Sequence, residues 1–309
     1  MASDSLSNEH RLSIGLPVYN GEKFLQNRLD GILSQTFSDF ELIISDNAST
    51  DSTADICKEY ALKDNRILYI RQENNIGPFN NGKFVLDKAQ NEYFVFAMVD
   101  DLWKPTFLEK NIKVLDSDDN VVGSISRCSR YGPYIEDFSI FPEDSFNIRF
   151  YKKIRRYFRK YGSVSATGSY DKRIRSFLKS LSGQNIYSVF RTNHFKNVFP
   201  IEHIIAIDAI IILKILKFGE IHLVDEDLLC FYSGGFSSEG MKNLLSDIKI
   251  GRLGIFFPAT HFTIWCIKNL GYKIFLKNIE LFLIGMTIVN LHMTLSELYK
   301  LIKNITLKS

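Results

Sequence analysis

The sequence predicts an α/β protein built on a mostly parallel, doubly wound sheet. Three observations predict it. Four short apolar runs, at 12–18, 40–45, 67–70 and 93–99, alternate with three segments of helical period. Each run stops in a cluster of polar turn formers. The 309-residue chain is 45% hydrophobic, enough for a substantial core.

Leu12 to Val18 reads as the first strand and runs into Tyr19-Asn20-Gly21-Glu22. Phe24, Leu25, Leu29, Ile32 and Leu33 then recur at helical spacing, in a helix ending near Gln35. Phe40 to Ser45 is the second strand, closed by Asp46-Asn47-Ala48-Ser49-Thr50-Asp51. Ser and Thr there can cap a helix through Leu62 with Ala54, Cys57 and Ala61 inward. Ile67 to Ile70 is the third strand, followed by the Asn/Gly-rich loop QENNIGPFNNGK and a helix from Phe84 to Ala89. Tyr93 to Val99 is the fourth strand and ends in Asp100-Asp101. Beyond it a helix is expected near Phe107, with Pro105 in its first turn.

Strands alternating with helices imply right-handed crossovers and a parallel sheet. All four polar loops then open on one edge, where such sheets bind ligands. One polar loop is a turn, whereas four on one edge make a nucleotide site. Two adjacent carboxylates there can hold a divalent cation on phosphate oxygens; alone, the same pair is also an ordinary polar turn. Gly77 to Phe84 fits G-x-x-x-x-G-K except at its last position, where Phe84 stands in place of Ser or Thr. A P-loop-like hydrolase using Lys83 is therefore the competing enzyme reading, and a catalytically silent nucleotide-binding module is a third.

The 38 Lys+Arg and 35 Asp+Glu nearly balance, which argues against a polyanion partner for the molecule as a whole. The cysteines at 57, 128, 230 and 266 lack ligand spacing and read as reduced, mostly buried thiols. The six histidines lack it as well. MASDSLSNEHRL carries no apolar export signal, and no apolar run spans a bilayer, so the cytosol is the expected compartment.

In order along the chain, PVYNGEKFL, SDNASTDST, NNIGPFNNGKFVLDKA, EYFVFAMVDDLWKPTFLEK, FRTNHF and DAIIILKILKFGEIHLVDEDLL resemble the family two glycosyltransferases, over roughly residues 11 to 238. The resemblance implies the GT-A fold, a nucleotide-sugar donor, usually a UDP-sugar, and a divalent metal, Mn2+ or Mg2+. It implies transfer of a hexosyl type to a hydroxyl acceptor. Carried over by position, Pro17, Tyr19, Glu22 and Asp46 would contact base and ribose, with Asn20, Asn47 and Ser49 beside them in the donor-binding loops. Asn75, Gly77 and Asn81 would line the third loop, and Asp100 would serve the ribose and phosphates. Asp101 would bind the metal, and Asp208 would be the base of an inverting enzyme. Val99 stands where many members have a further Asp, and Ser233-Gly234 where many have Arg and His, which trims the metal site. Read alone, Asp208 is also an N-cap for a helix over 209–218. Arg191 matches a family arginine before the acceptor-side helix.

On this reading residues 1–125 are the donor-binding half of one domain, 126–240 its acceptor-binding half and 241–309 a helical C-terminal extension. Arg149 to Lys160 holds seven basic residues, with Phe150, Ile154, Tyr157 and Phe158 on one helical face. That stripe suits an anionic lipid surface or packing on the sheet; nucleic acid is not an expected partner, because nothing else in the chain is basic. The aromatic tail, with Phe256-Phe257 and Ile264-Trp265, suits helices that pack on the domain, a membrane contact or a homo-oligomer contact. The acceptor expected from these features is a saccharide or lipid-linked saccharide in surface polysaccharide or glycolipid synthesis.

Overall fold

A computed structural model of the chain describes residues 10–132, 162–180, 182–200, 206–234 and 258–283, with single positions 142, 145 and 149. Its strands are β1 (Leu12–Val18), β2 (Phe40–Asp46), β3 (Ile67–Arg71), β4 (Tyr93–Phe96), β5 (Leu102–Trp103), β6 (Val121–Tyr131), β7 (Val189–Arg191) and β8 (Glu220–Tyr232). They form one sheet in the order β3-β2-β1-β4-β7-β6-β8-β5. The first four are parallel in the register Leu12↔Phe40, Leu42↔Ile67 and Leu12↔Tyr93, as the alternation with helices requires. The other half is mixed: β7 runs antiparallel to β4 and β6, β8 parallel to β6, and β5 antiparallel to β8.

Helices α1 (Glu22–Leu33), α2 (Thr53–Lys63) and α3 (Pro78–Lys88) make the crossovers, and α4 (Phe107–Ser117) follows the acidic pair. The later helices are α5 (Tyr170–Ser180), a 3-10 turn at Gly183–Tyr187, α6 (Thr192–Val198), α7 (Ile207–Ile215), α8 (Pro258–Leu270) and α9 (Tyr272–Lys277). Period-2 alternation divides the apolar side chains between two cores, one on each face of the sheet. Leu12, Ile14, Leu16, Tyr93 and Val95 pack with Leu25, Leu29, Ile32 and Phe107 on one face. Phe94, Phe96 and Phe190 pack with Val85, Phe195 and the isoleucines of α7 on the other. Each such fully buried side chain stabilises by roughly 1.5–3 kcal/mol against exposure. Gly15 is needed in β1 because a Cβ there would stand 2.8 Å from Val85 Cγ2 and 2.9 Å from Phe94 Cζ.

Several boundaries differ from the sequence expectation, among them β4, which ends at Phe96 rather than Val99. Helix α3 starts at Pro78 rather than Phe84, because Gly77 at φ 82 turns the chain into it and Pro78 fits a first helical position. Pro105 lies just before α4, whose N-cap is Thr106. Helix α7 starts at Ile207 after Ala206, held at φ 58, so Asp208 sits inside the first turn rather than at the N-cap. Cys57 and Cys266 are buried and Cys128 and Cys230 half-buried, all four unbridged. Of the basic stretch 149–160 only Arg149 lies within the described residues, and Phe256-Phe257 lies outside them.

Candidate functional site

The loops after β1, β2 and β3 are sewn together by their own polar side chains. The backbone N–H of Asn20 donates to Ser49 Oγ at 2.9 Å, and Thr50 N–H donates to Asn20 Oδ1 at 2.8 Å. Glu22 accepts from Ser52 N–H at 3.0 Å. Asn47 bridges onward, donating to Asn75 Oδ1 at 2.9 Å and accepting from Ile76 N–H at 2.8 Å. Asn75 in turn accepts from Gly77 N–H, and the buried Asn81 exchanges hydrogen bonds with Ser45 at 2.6 and 2.9 Å. The loop after β4 closes the ring: a Cβ on Gly21 would stand 3.0 Å from Val99 Cγ2. The convergence expected from topology is therefore made of direct contacts.

Asp46 is fully buried at the end of β2. It accepts from Ser49 N–H at 2.9 Å and Tyr69 Oη at 3.1 Å, and pairs with Arg71 at 3.3 Å. In this state it braces the second loop. Tyr19 is 48% exposed at the mouth and Pro17 half-buried beneath it. Asn20, Ala48 and Ala206 are the described non-glycine residues with positive φ, and all three lie in loops that border the crevice. Holding such residues in the left-handed region costs free energy, and strain of this kind collects at functional sites.

Asp100 and Asp101 lie on the floor. Tyr131 donates its hydroxyl to the Asp100 carbonyl, and Asp101 Oδ1 accepts from the Tyr232 backbone N–H at 3.2 Å. Burial, together with the charge of Asp100, pushes the Asp101 carboxyl up to about 7, and burial raises Asp100 as well. Beneath them Arg28 is 1% exposed, with its guanidinium 4.0 Å over the Trp103 ring. Burial lowers Arg28 to about 10 while the two aspartates hold its charge on. Two crowded carboxylates that cannot both ionise cheaply are a donor set that a divalent cation relieves. Among the described residues no group of three or more His, Cys, Asp or Glu is placed to hold a metal. The pair fits a cation that completes its shell with oxygens of a bound diphosphate.

Asp208 enters from the other side. Asp208 is exposed to solvent, yet the protein packed around it raises its carboxyl to about 6. It faces Gly183, where a Cβ would meet Asp208 Oδ2 at 3.5 Å. The same turn ends at Tyr187, whose ring packs 5.0 Å from that of Phe231 and whose hydroxyl is within electrostatic reach of Asp101, Asp208 and Asp100. Tyr187 thus ties the two acidic centres to one crevice.

Sequence reasoning missed Arg28 and Tyr187. Arg28 was findable, since it falls on the inward stripe of Leu25, Leu29 and Ile32, whereas nothing local marks Tyr187. Two residues take other places than the motifs suggested. Lys83 lies within α3, paired with Asp87, so the G-x-x-x-x-G-K stretch forms no phosphate loop. Arg191 donates to the carbonyls of Val121 at 2.9 Å and Leu115 at 2.8 Å near the start of β4, away from the crevice.

A family model described as "Glycosyl transferase family 2" matches residues 13–182. Glycosyltransferase GlyG of Streptococcus pneumoniae is 33% identical over 98 residues, which is 32% of this chain and 33% of that one. The putative teichuronic acid biosynthesis glycosyltransferase TuaG of Bacillus subtilis is 34% identical over 104 residues, 34% of this chain and 41% of that one. The matched stretch thus spans less than half the length of these curated relatives. Among solved structures, S. aureus TarS 1-349 in complex with UDP-GlcNAc superposes with a TM-score of 0.58 at 18% identity, covering 83% of this chain and 66% of that one. The mannosyltransferase PcManGT from Pyrobaculum calidifontis, in complex with GDP-Man and Mn2+, gives a TM-score of 0.50 at 17% identity, covering 71% and 56%. At these identities the structures show a shared fold, that of GT-A glycosyltransferases.

Proposed function

The chain belongs to glycosyl transferase family 2, and from that premise we propose that it moves a sugar from a nucleoside diphosphate donor, a UDP-sugar, to a hydroxyl acceptor with inversion at the transferred carbon. The observation that carries this reading is that Asp101 and Asp208 both neighbour Tyr187: the turn it closes faces Asp208 across Gly183, and its ring packs on Phe231, whose neighbour Tyr232 donates its N–H to Asp101. The loops around Asn20, Asn47, Ser49 and Asn75 would take the base and ribose. Asp100 and Asp101 would hold Mn2+ or Mg2+ together with the donor's phosphates. Bound there, the cation supplies charge neutralisation for the departing diphosphate.

Asp208 acts at the acceptor. A sugar hydroxyl is a weak nucleophile, and a carboxylate within hydrogen-bond reach removes its proton as the new glycosidic bond forms and the bond to the phosphate oxygen breaks. A carboxyl at about 6 is ionised at neutral pH and more basic than an ordinary aspartate, which suits that role.

A nascent surface glycan on a lipid carrier is the acceptor we favour. TuaG, one of the relatives, is named for teichuronic acid biosynthesis. Helices α8 and α9 and the turn after them expose Ile264, Tyr272, Leu276, Ile279 and Leu283 alongside Lys268, Lys273 and Lys277, a combination suited to an anionic membrane face. No helix among the described residues is long and apolar enough to cross a membrane. We therefore place the protein peripherally, at the inner face of the cell membrane.

Thermal unfolding against UDP, GDP, ADP and ATP, each with and without Mn2+, tests the donor site. A ligand at a hundred times its Kd stabilises by about 2.7 kcal/mol. A Mn2+-dependent shift with UDP that vanishes in Asp101→Ala is the expected result. A shift with ATP alone, indifferent to Asp101→Ala, would overturn the proposal.

A further inference from the structure

Tyr187 has no assigned role, and its placement gives it one. It closes the 3-10 turn at Gly183–Tyr187, which packs against the first turn of α7, and Gly183 in that turn faces the Asp208 carboxylate. Its ring is fixed against Phe231 at 5.0 Å, and the next residue along β8, Tyr232, donates its N–H to Asp101. Tyr187 therefore sits between α7, which carries Asp208, and β8, whose Tyr232 N–H holds Asp101. Among the described residues its hydroxyl has no protein hydrogen-bond partner.

The surrounding charge decides what that hydroxyl can do. Burial, with Asp101, Asp208 and Asp100 nearby, raises the phenol well above 10, so it stays protonated across the working range of pH. In a crevice floored by carboxylates it is a neutral O–H donor. In an inverting transfer the sugar must lie between the diphosphate it leaves and the base-activated hydroxyl that attacks. With the diphosphate end at Asp100 and Asp101 and the base at Asp208, a side chain that neighbours both centres is placed to reach the transferred sugar.

We infer that Tyr187 donates its hydroxyl to an oxygen of the donor's sugar and so holds that sugar between Asp101 and Asp208. The inference rests on the nucleotide-sugar reading above. It assigns Tyr187 to the sugar, and not to the base, the ribose or the diphosphate.

The test is calorimetric titration of the full chain with Mn2+ present, using UDP, UDP-GlcNAc and UDP-glucose, on wild type and on Tyr187→Phe, which keeps the contact with Phe231. A neutral hydrogen bond lost from a bound ligand weakens affinity by roughly 3- to 12-fold. The expected result is unchanged Kd for UDP with a rise of that size for at least one UDP-sugar. The inference is overturned if every Kd is unchanged, because the phenol then serves the acceptor or faces only water. It is equally overturned if UDP and the UDP-sugars weaken by the same factor, since Tyr187 then acts on the nucleotide end or on folding. Wild type that binds neither UDP nor, in a parallel titration, GDP would instead remove the nucleotide-sugar reading, and the role of Tyr187 with it.

Discussion

The guanidinium of Arg28 lies 4.0 Å over the ring of Trp103, and none of its three nitrogens has a protein hydrogen-bond partner. A buried cation without such partners is costly. Its fall from the ordinary arginine value to about 10 corresponds to roughly 3 kcal/mol against the charged form. That value is already net of the field of Asp100 and Asp101, the carboxylates proposed to meet the donor, and the face of Trp103 offsets part of the remaining cost. Arg28→Met keeps the volume and the stack while removing the charge. It should be at least as stable as wild type at pH 5.5, where Asp101 carries a proton, by about 0–3 kcal/mol. The advantage should shrink by pH 8.5, where Asp101 is ionised and has lost its counter-charge. Urea unfolding at the two pH values measures both; a large loss at pH 5.5 would show that the cation stabilises the fold.

Asp101 gives the apo protein an unusual pH dependence. Its folded value of about 7 lies above the ordinary 3.8, so the folded state binds the proton more tightly. The contribution is fully present below the unfolded value and is lost as pH rises through the folded one. Between pH 4 and pH 8 wild type should lose up to about 4 kcal/mol at this site. Asp101→Asn should not, so the variant becomes the more stable protein at pH 8 and matches wild type near pH 4. Denaturant midpoints across that window decide it, and Mn2+ with UDP should restore stability to wild type alone.

Asp208→Asn should leave UDP binding intact while slowing transfer by about 10²- to 10⁴-fold, the usual range for a lost general base. In wild type, kcat should rise about tenfold per pH unit up to about 6 and level off above it, as the carboxyl loses its proton. UDP release followed from pH 4.5 to 8 measures the limb. An unchanged rate in Asp208→Asn would remove Asp208 as the base, and UDP binding without measurable transfer in wild type would support the silent binding module.

Asn47 holds the second and third loops together while only 2% exposed. Asn47→Ala leaves the Ile76 N–H and Asn75 Oδ1 without that partner, a cost of about 1–3 kcal/mol. Asn75→Ala, at an exposed position, should cost less than about 1 kcal/mol in stability. If these loops carry the base and ribose, both variants should weaken UDP in thermal titration. Lys83→Ala, remote from this network, should not.

The half of the molecule read correctly from sequence is the half whose elements are written locally. Runs such as LSIGLPV and FELIIS stop in polar turn formers because each strand is buried and each loop is not. Right-handed crossovers then leave one arrangement for the loops, so their convergence on one edge was legible in the sequence. Residues whose meaning comes from distant partners were not. Gly77 to Lys83 reads as a phosphate loop until Pro78 starts a helix, and Asp208 reads as a cap until Ala206 takes the left-handed turn ahead of it. Arg191 stands immediately before a helix, as its match implies, and only the fold shows that it holds the Val121 and Leu115 carbonyls. Tyr187 has meaning only because an antiparallel β7 between β4 and β6 brings residues 183–187 beside residues 100, 101 and 208. The sequence alone determined the four loops at the carboxyl ends of the first strands, because burial period and turn chemistry act between neighbours. The tertiary structure decided where Asp208 and Tyr187 lie and the charge beneath the acidic pair, because packing joins residues that no local pattern relates.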